Sequence, residues 1–215
     1  MSLWVIIPVK PLNRAKSRLS SVLSPQHRAQ FAEMMFRRLL TIVHDVPQIT
    51  GTMVISRDPK ALSIARELGA KTVQETNPSD LNPALTRATG ALALWRATAA
   101  LILPADLPFI TKEDISAIAE MGRYHNTVVL ATDNLQDGTN AMLVRPLGLI
   151  PYTYGQQSFE RHGIAAKLAG ATLKIYESDT VALDVDTPDD LAEFNHRVSS
   201  ANYDLLTPFL PDLTI

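Results

Sequence analysis

The sequence predicts an α/β fold, a mostly parallel sheet flanked by helices. Short β-rich runs alternate with helical patterns almost from end to end, the order of strands joined by helical crossovers. The chain has 215 residues, 46% hydrophobic and 20% charged. That is ordinary globular composition and length enough for one large α/β domain. No repeat, low-complexity segment or linker divides it, so residues 1–215 read as a single domain ending in an apolar tail, 203–215.

Each element has a local reason. LWVIIPV (3–9) is a buried strand. Ser24 and Pro25 open a long helix in which Phe31, Met34, Met35, Leu39, Ile42 and Val43 recur at helical spacing. TMVIS (52–56) is the second strand, and Asp58-Pro59 caps a helix that stops at Gly69. KTVQE (71–75) precedes a helix from about Asn82 to Arg96, and ALILPAD (100–106) is a strand. Thr111, with Asp114 three positions on, starts a helix reaching about Met121. TVVLA (127–131), AMLVR (141–145) and TLKIY (172–176) are further strands, with a helix from Ser158 to Leu168 before the third. A strand ending in Val181, Ala182 and Leu183 leads to the last helix, Pro188 to Val198, with Thr187 as its N-cap.

Composition excludes several functions. The net charge of -2 gives no general attraction to nucleic acid or anionic membrane. The chain has no cysteine, which excludes disulfides, thiolate nucleophiles and cysteine-ligated zinc or iron–sulfur centres and fits a reducing cytoplasm. The N-terminus lacks a positive n-region and reads as a strand, not a signal peptide. The apolar stretch at 90–106 is broken by Arg96 and Pro104 and reads as no membrane span. No GxxxxGK[ST], no GxGxxG after the first strand and no GxSxG occurs. The five histidines show no metal spacing: His27, His44 and His196 fall on predicted helices, His125 in a loop. His162 reads as a cap or surface residue rather than a substrate contact.

Three polar clusters fall at the carboxyl ends of predicted strands, where open parallel sheets bind ligands. VKPLNRAKSRL (9–19) places Lys10, Arg14, Lys16 and Arg18 in one connection, a concentration of charge suited to a triphosphate; its ordinary alternative is a solvated basic loop. Asp106 ends an apolar strand between Pro104 and Pro108, as a ligand or as a turn residue. In LDVD (183–186), side-chain alternation points Asp184 and Asp186 one way and Val185 into the core. Two such carboxylates, about 6 Å apart, repel by roughly 2–3 kcal/mol at an effective dielectric near 20. Something positive should sit between them, or one should stay protonated. With Asp106 they make a hard-oxygen set suited to magnesium. Asp189 and Asp190 belong instead to the helix start. Together the clusters point to nucleotide chemistry at phosphorus.

The segments IPVKPLNRAKSRLS (7–20), DLNPAL (80–85), LPADLPFI (103–110), DGTNAML (137–143), YGQQSFERH (154–162) and LDVDTPDDL (183–191) together resemble the phospholactate/phosphoenolpyruvate guanylyltransferases of coenzyme F420 biosynthesis, in order and over nearly the whole chain. The resemblance implies a GT-A-like nucleotidyltransferase fold, GTP as donor, and Mg2+ on Asp106, Asp184 and Asp186. It places the three-carbon phosphoacid on Thr139, Gly155 and Ser158, and Asn82 beside the nucleotide. It also implies hand-off of product to the next transferase, and the apolar tail leaves a homodimer open. Two other classes stay open: a relative with a sugar, cobamide or molybdenum-cofactor acceptor, and a non-catalytic GTP- or product-binding partner.

Overall fold

The structure is a computed structural model that describes residues 2–75 and 80–200. The apolar tail at 203–215, and the interface expected of it, lie outside the described residues. The strands are β1 (Leu3–Val9), β2 (Ile49–Ser56), β3 (Lys71–Gln74), β4 (Ala99–Ile102), β5 (Thr127–Thr132), β6 (Thr139–Arg145) and β7 (Thr172–Ile175). They form one seven-stranded sheet in the order β3-β2-β1-β4-β6-β5-β7. All neighbours are parallel except β6, which runs antiparallel to both β4 and β5. The predicted mostly parallel sheet is thus present, with one reversed strand that carries Thr139 to the same edge as the ends of β1 and β4.

The helices are α1 (Pro25–His44), α2 (Pro59–Glu67), α3 (Leu81–Leu94), α4 (Lys112–Met121), α5 (Ser158–Leu168), the single turn α6 (Asp179–Ala182) and α7 (Pro188–Ser200). Alternation along β1 sends Val5 and Ile7 to one core with Phe36, Leu39, Leu62 and Ile115, while Ile6 joins Met53, Leu85, Ala88 and Ala166 on the other face. A third cluster joins Phe31 of α1, Phe109 and Phe194 of α7; the ring of Phe194 lies 5.2 Å from Phe31 and 5.6 Å from Phe109. Val185 is fully buried in it, which turns its two aspartate neighbours outward.

Caps form where the sequence places them. The Ser24 hydroxyl accepts from the His27 N–H at 3.2 Å, and Thr111 with Asp114 forms a reciprocal capping box. Asp190 Oδ2 accepts from the backbone N–H groups of Asp186 at 3.0 Å and Thr187 at 2.7 Å, confirming its place in the helix start.

Three expectations are corrected. β4 stops at Ile102 rather than Asp106, because Pro104 has no N–H to continue the ladder. Residues 181–183 are not a strand: α6 winds through Ala182, its start held by Asp114, which accepts hydrogen bonds from the hydroxyls of Ser178 (2.8 Å) and Thr180 (2.7 Å). His162 is wholly buried, neither a cap nor a surface residue. No helix among the described residues is long and apolar enough to cross a membrane.

Candidate active site

A cleft of about 500 Å³ opens beyond the carboxyl ends of β1, β2 and β4, the position at which open α/β sheets take ligands. Its lining includes Lys10, Arg14, Lys16, Arg57, Glu75, Asp106, Tyr154 and Asp186. The loop after β1 supplies the cations through two short 3-10 turns, Leu12–Arg14 and Ser17–Leu19. The first is tethered by Asp58, which accepts from the Leu12 N–H at 2.8 Å. Lys16, between the turns, takes a left-handed conformation at φ 54°, an uncommon state for a side-chain-bearing residue.

The four cations separate by environment. Lys10 and Arg14 are exposed and line the cleft. Lys16 is buried, its side chain 6% exposed, and its ammonium donates at 2.9 Å to both Asp106 Oδ2 and Asp186 Oδ1. Arg18 is 74% exposed, stands outside the cleft lining and reaches only Asp186, at 3.8 Å.

The carboxylates behave as their spacing requires. Burial opposes the Lys16 charge, yet Asp106 and Asp186 outweigh it and raise its pKa. Burial also opposes ionisation of Asp186, but Lys16, Arg18 and Lys10 together hold its carboxyl below the usual range. Among the described residues no cation pairs with Asp184. Burial, then Asp106 and Asp186, push its carboxyl up to about 6, against a long hydrogen bond from Asn140 Nδ2 at 3.5 Å. Of the two expected resolutions, the second applies to Asp184 and Asp186: the Lys16 ammonium bridges Asp186 to Asp106 rather than to Asp184, and Asp184 holds its proton more tightly.

The three aspartates are hard oxygen donors carrying more negative charge than Lys16 neutralises, a set that fits magnesium. Among the described residues they do not close on a common point as a ready-made metal centre, since the Lys16 ammonium lies between two of them.

A second group lies along β6 and α5. The Asn140 amide donates to the carbonyls of Val181 (3.0 Å) and Ala182 (3.3 Å), linking β6 to the segment that carries Asp184. Its neighbour Thr139 is buried, and its hydroxyl meets Ser158 Oγ at 3.2 Å and His162 Nδ1 at 3.0 Å. Ser158 is the first residue of α5 rather than its cap, and its N–H donates to the Gly155 carbonyl at 3.1 Å. Gly155 has φ +121°, a conformation that favours glycine. The structure thus brings Thr139, Gly155 and Ser158 together.

Asn82 joins the two groups. Its carbonyl accepts from the Tyr154 N–H at 2.8 Å and its amide donates to the Tyr154 carbonyl at 3.2 Å. It therefore holds the Gly155 segment against α3, with one amide hydrogen beyond these bonds. The sequence reading gave no role to Asn140 and Tyr154, although both stand in segments it quotes, DGTNAML and YGQQSFERH, and it gave none to Arg57 and Glu75. A polar residue inside the apolar run of β6 is a further signal that marks Asn140.

Comparisons with known proteins show the family and the fold. The profile of the family described as "Guanylyl transferase CofC like" matches residues 3–207. The chain belongs to that family. The phosphoenolpyruvate guanylyltransferase of Rubrobacter xylanophilus is 39% identical over 197 residues, covering 89% of this chain and 93% of the relative. The 2-phospho-L-lactate guanylyltransferase of Methanocaldococcus vulcanius is 33% identical, covering 88% and 82%. Among solved structures, a protein assigned as a nucleotide-diphospho-sugar transferase from Desulfovibrio desulfuricans G20 superimposes with a TM-score of 0.75 at 13% identity, over 94% of this chain and 90% of that one. A nucleotidyl transferase from Methanothermobacter thermautotrophicus gives a TM-score of 0.67 at 10% identity, over 92% and 98%. These neighbours carry the fold, and the predicted nucleotidyltransferase architecture is present.

Proposed function

We propose that this CofC-like guanylyltransferase joins GMP from GTP to the phosphate of a three-carbon phosphoacid, phosphoenolpyruvate or 2-phospho-L-lactate, releasing pyrophosphate in coenzyme F420 biosynthesis. The observation that supports this reading best is the junction of Lys16 with Asp106 and Asp186 in the wall of the basic cleft, with Asn140, the chain neighbour of Thr139, reaching Asp184. Donor and acceptor then meet at the carboxylates.

The acceptor needs no base from the protein. Its phosphate loses a second proton near pH 6 and is already largely dianionic at neutral pH. Its oxygen attacks the α-phosphorus of GTP, the new P–O bond forms, and the bond from the α-phosphorus to the bridging oxygen breaks, that oxygen leaving on pyrophosphate. Lys10 and Arg14, exposed in the cleft, receive the triphosphate, with Asn82 on the nucleotide side through its remaining N–H. Lys16 holds Asp106 and Asp186 in register and carries positive charge at the reacting centre, with Arg18 supporting Asp186 from outside. Thr139, Gly155 and Ser158 orient the acid, and alignment with charge neutralisation supplies the catalysis. Asp106, Asp184 and Asp186 would hold magnesium, which when bound neutralises phosphate charge. We assign the whole chain to one domain and its product to transfer onward to the next enzyme.

The test is pyrophosphate release from GTP with magnesium, run with phosphoenolpyruvate, 2-phospho-L-lactate, 3-phospho-D-glycerate and no acid. Release dependent on one acid, and on GTP over ATP and CTP, is the expected result. Release with none of them, but with a sugar or cobamide phosphate, would move the enzyme to another acceptor.

A further inference from the structure

His162 is buried between two partners that determine where its proton lies. The Thr153 backbone N–H donates to Nε2 at 2.9 Å, so Nε2 is a bare acceptor. The ring proton of a neutral imidazole then sits on Nδ1, which faces Thr139 Oγ1 at 3.0 Å. Thr139 Oγ1 accepts that proton and a second one from the Ser158 hydroxyl at 3.2 Å. A hydroxyl has two lone pairs and one proton. Both lone pairs are now used, and among the described residues no protein acceptor takes the proton that remains.

We propose that His162 is a positioning residue of the acceptor subsite: by donating from Nδ1 it converts Thr139 into a hydroxyl that can only donate, selecting an anionic oxygen, carboxylate or phosphate, as the ligand there. This rests on the reading of Thr139 and Ser158 as the acid's contacts, and adds what sets their polarity. Moving the proton to Nε2 would set the Thr153 N–H against a second N–H and let Thr139 donate inward to a bare Nδ1, closing the subsite to an anion. The Tyr154 ring packs edge-on against the imidazole with centroids 4.9 Å apart, which holds both ring nitrogens on these partners. Burial, with Arg161 adding to it, lowers the His162 pKa to about 4, so the ring is neutral at physiological pH.

Two readouts test this on the full-length protein. With ¹⁵N-labelled histidine rings, the long-range ¹H–¹⁵N spectrum at pH 7 should show His162, assigned by its loss in His162→Asn, with a protonated Nδ1 and a bare Nε2. A protonated Nε2, or a doubly protonated ring, would overturn the proposal whatever the activity. In steady-state assays, His162→Leu should raise KM for the phosphoacid about tenfold, the scale of one hydrogen bond to a charged ligand, because the Thr139 hydroxyl is no longer held as its donor. KM for GTP and kcat should stay within about threefold. His162→Asn, whose amide can still donate to Thr139, should recover most of that loss. Equal rises in both KM values, or no recovery by asparagine, would contradict the positioning role. If His162→Leu fails to fold, the asparagine variant and the spectrum still decide. Failure of every acid with wild-type enzyme would sink the functional reading itself, a result distinct from an active wild type with the wrong tautomer.

Discussion

The two halves of the site proposed to hold phosphorylated ligands are built in opposite ways. Around Lys16 the solution is charge: one buried ammonium shared by two carboxylates, a third carboxylate left over, and exposed cations outside. Around Thr139 the solution is neutral: two hydroxyls and an imidazole, all buried and hydrogen-bonded to one another, with the Thr139 proton left over for a ligand. Charge can change partners when a nucleotide arrives, because the Lys16 and Asp186 charges pair equally well with phosphate or metal. The neutral group cannot rearrange without leaving a buried polar atom unpaired, which makes it the stiffer and more selective half. The charged half thus suits binding and releasing a triphosphate, and the neutral half suits choosing an acid.

That contrast can be broken most sharply on the charged side. Asp186→Asn removes one carboxylate of the proposed magnesium set and half of the Lys16 clamp, and should cut kcat by about a hundredfold or more, the scale of losing one preorganised electrostatic group. Circular dichroism should be unchanged. Turnover within fivefold of wild type would show that Asp186 lies outside the chemistry.

His162 probes the other half through pH. Its folded pKa, about 4, lies below the ordinary 6.5. Its neutral form therefore adds stability that is fully present above about 6.5 and is lost as pH falls toward 4, about 3 kcal/mol in all. The gap between wild type and His162→Asn in urea midpoints should shrink over that interval. A gap independent of pH would mean that the ring is not held neutral.

Asp184 has the reverse sign. Its folded carboxyl is raised to about 6 from 3.8. Its ionised form is disfavoured in the fold, so it subtracts stability as pH rises from about 4 through 6, by about 2–3 kcal/mol. Without metal, Asp184→Asn should melt higher than wild type at pH 8 and alike at pH 4, while losing most turnover. A lower melting temperature at pH 8 would contradict the strain assigned to this acid.

The smallest effect should come from the exposed cations. Lys10→Met and Arg14→Met should each raise KM for GTP about threefold, and less at high salt, as screened surface charges do. Arg18→Met, outside the cleft lining, should change it by less than twofold. A tenfold effect at Arg18 would place the triphosphate on the other side of Asp186.

Much of this was legible in the sequence, for reasons that separate the residues. The β1 strand, the Ser24 and Asp58 caps and the Thr111–Asp114 box depend on near neighbours, and they form as read. The outward pair Asp184 and Asp186 follows from the two-residue period once Val185 is buried. What was hidden depends on contacts distant in sequence. The turn at 179–182 is set by Asp114, more than sixty positions away. The position of Lys16 depends on a left-handed backbone that no glycine announces. His162 sits in SFERHG, where Glu160 and Arg161 gave it the look of a surface residue, yet the helix turns its face inward onto Thr139. Reversal of β6, which brings Thr139 to the sheet edge where β1 and β4 end, is a topological fact with no local signature.

In the proposed reaction, acceptor phosphate attacks the α-phosphorus of GTP where the two halves meet. The direct measurement is mass analysis of both products from a phosphoacid whose phosphate oxygens carry ¹⁸O. The expected result is a guanosine diphosphate ester that keeps all of the label, with unlabelled pyrophosphate. Free GMP together with a pyrophosphorylated acid, or label in the pyrophosphate, would contradict it.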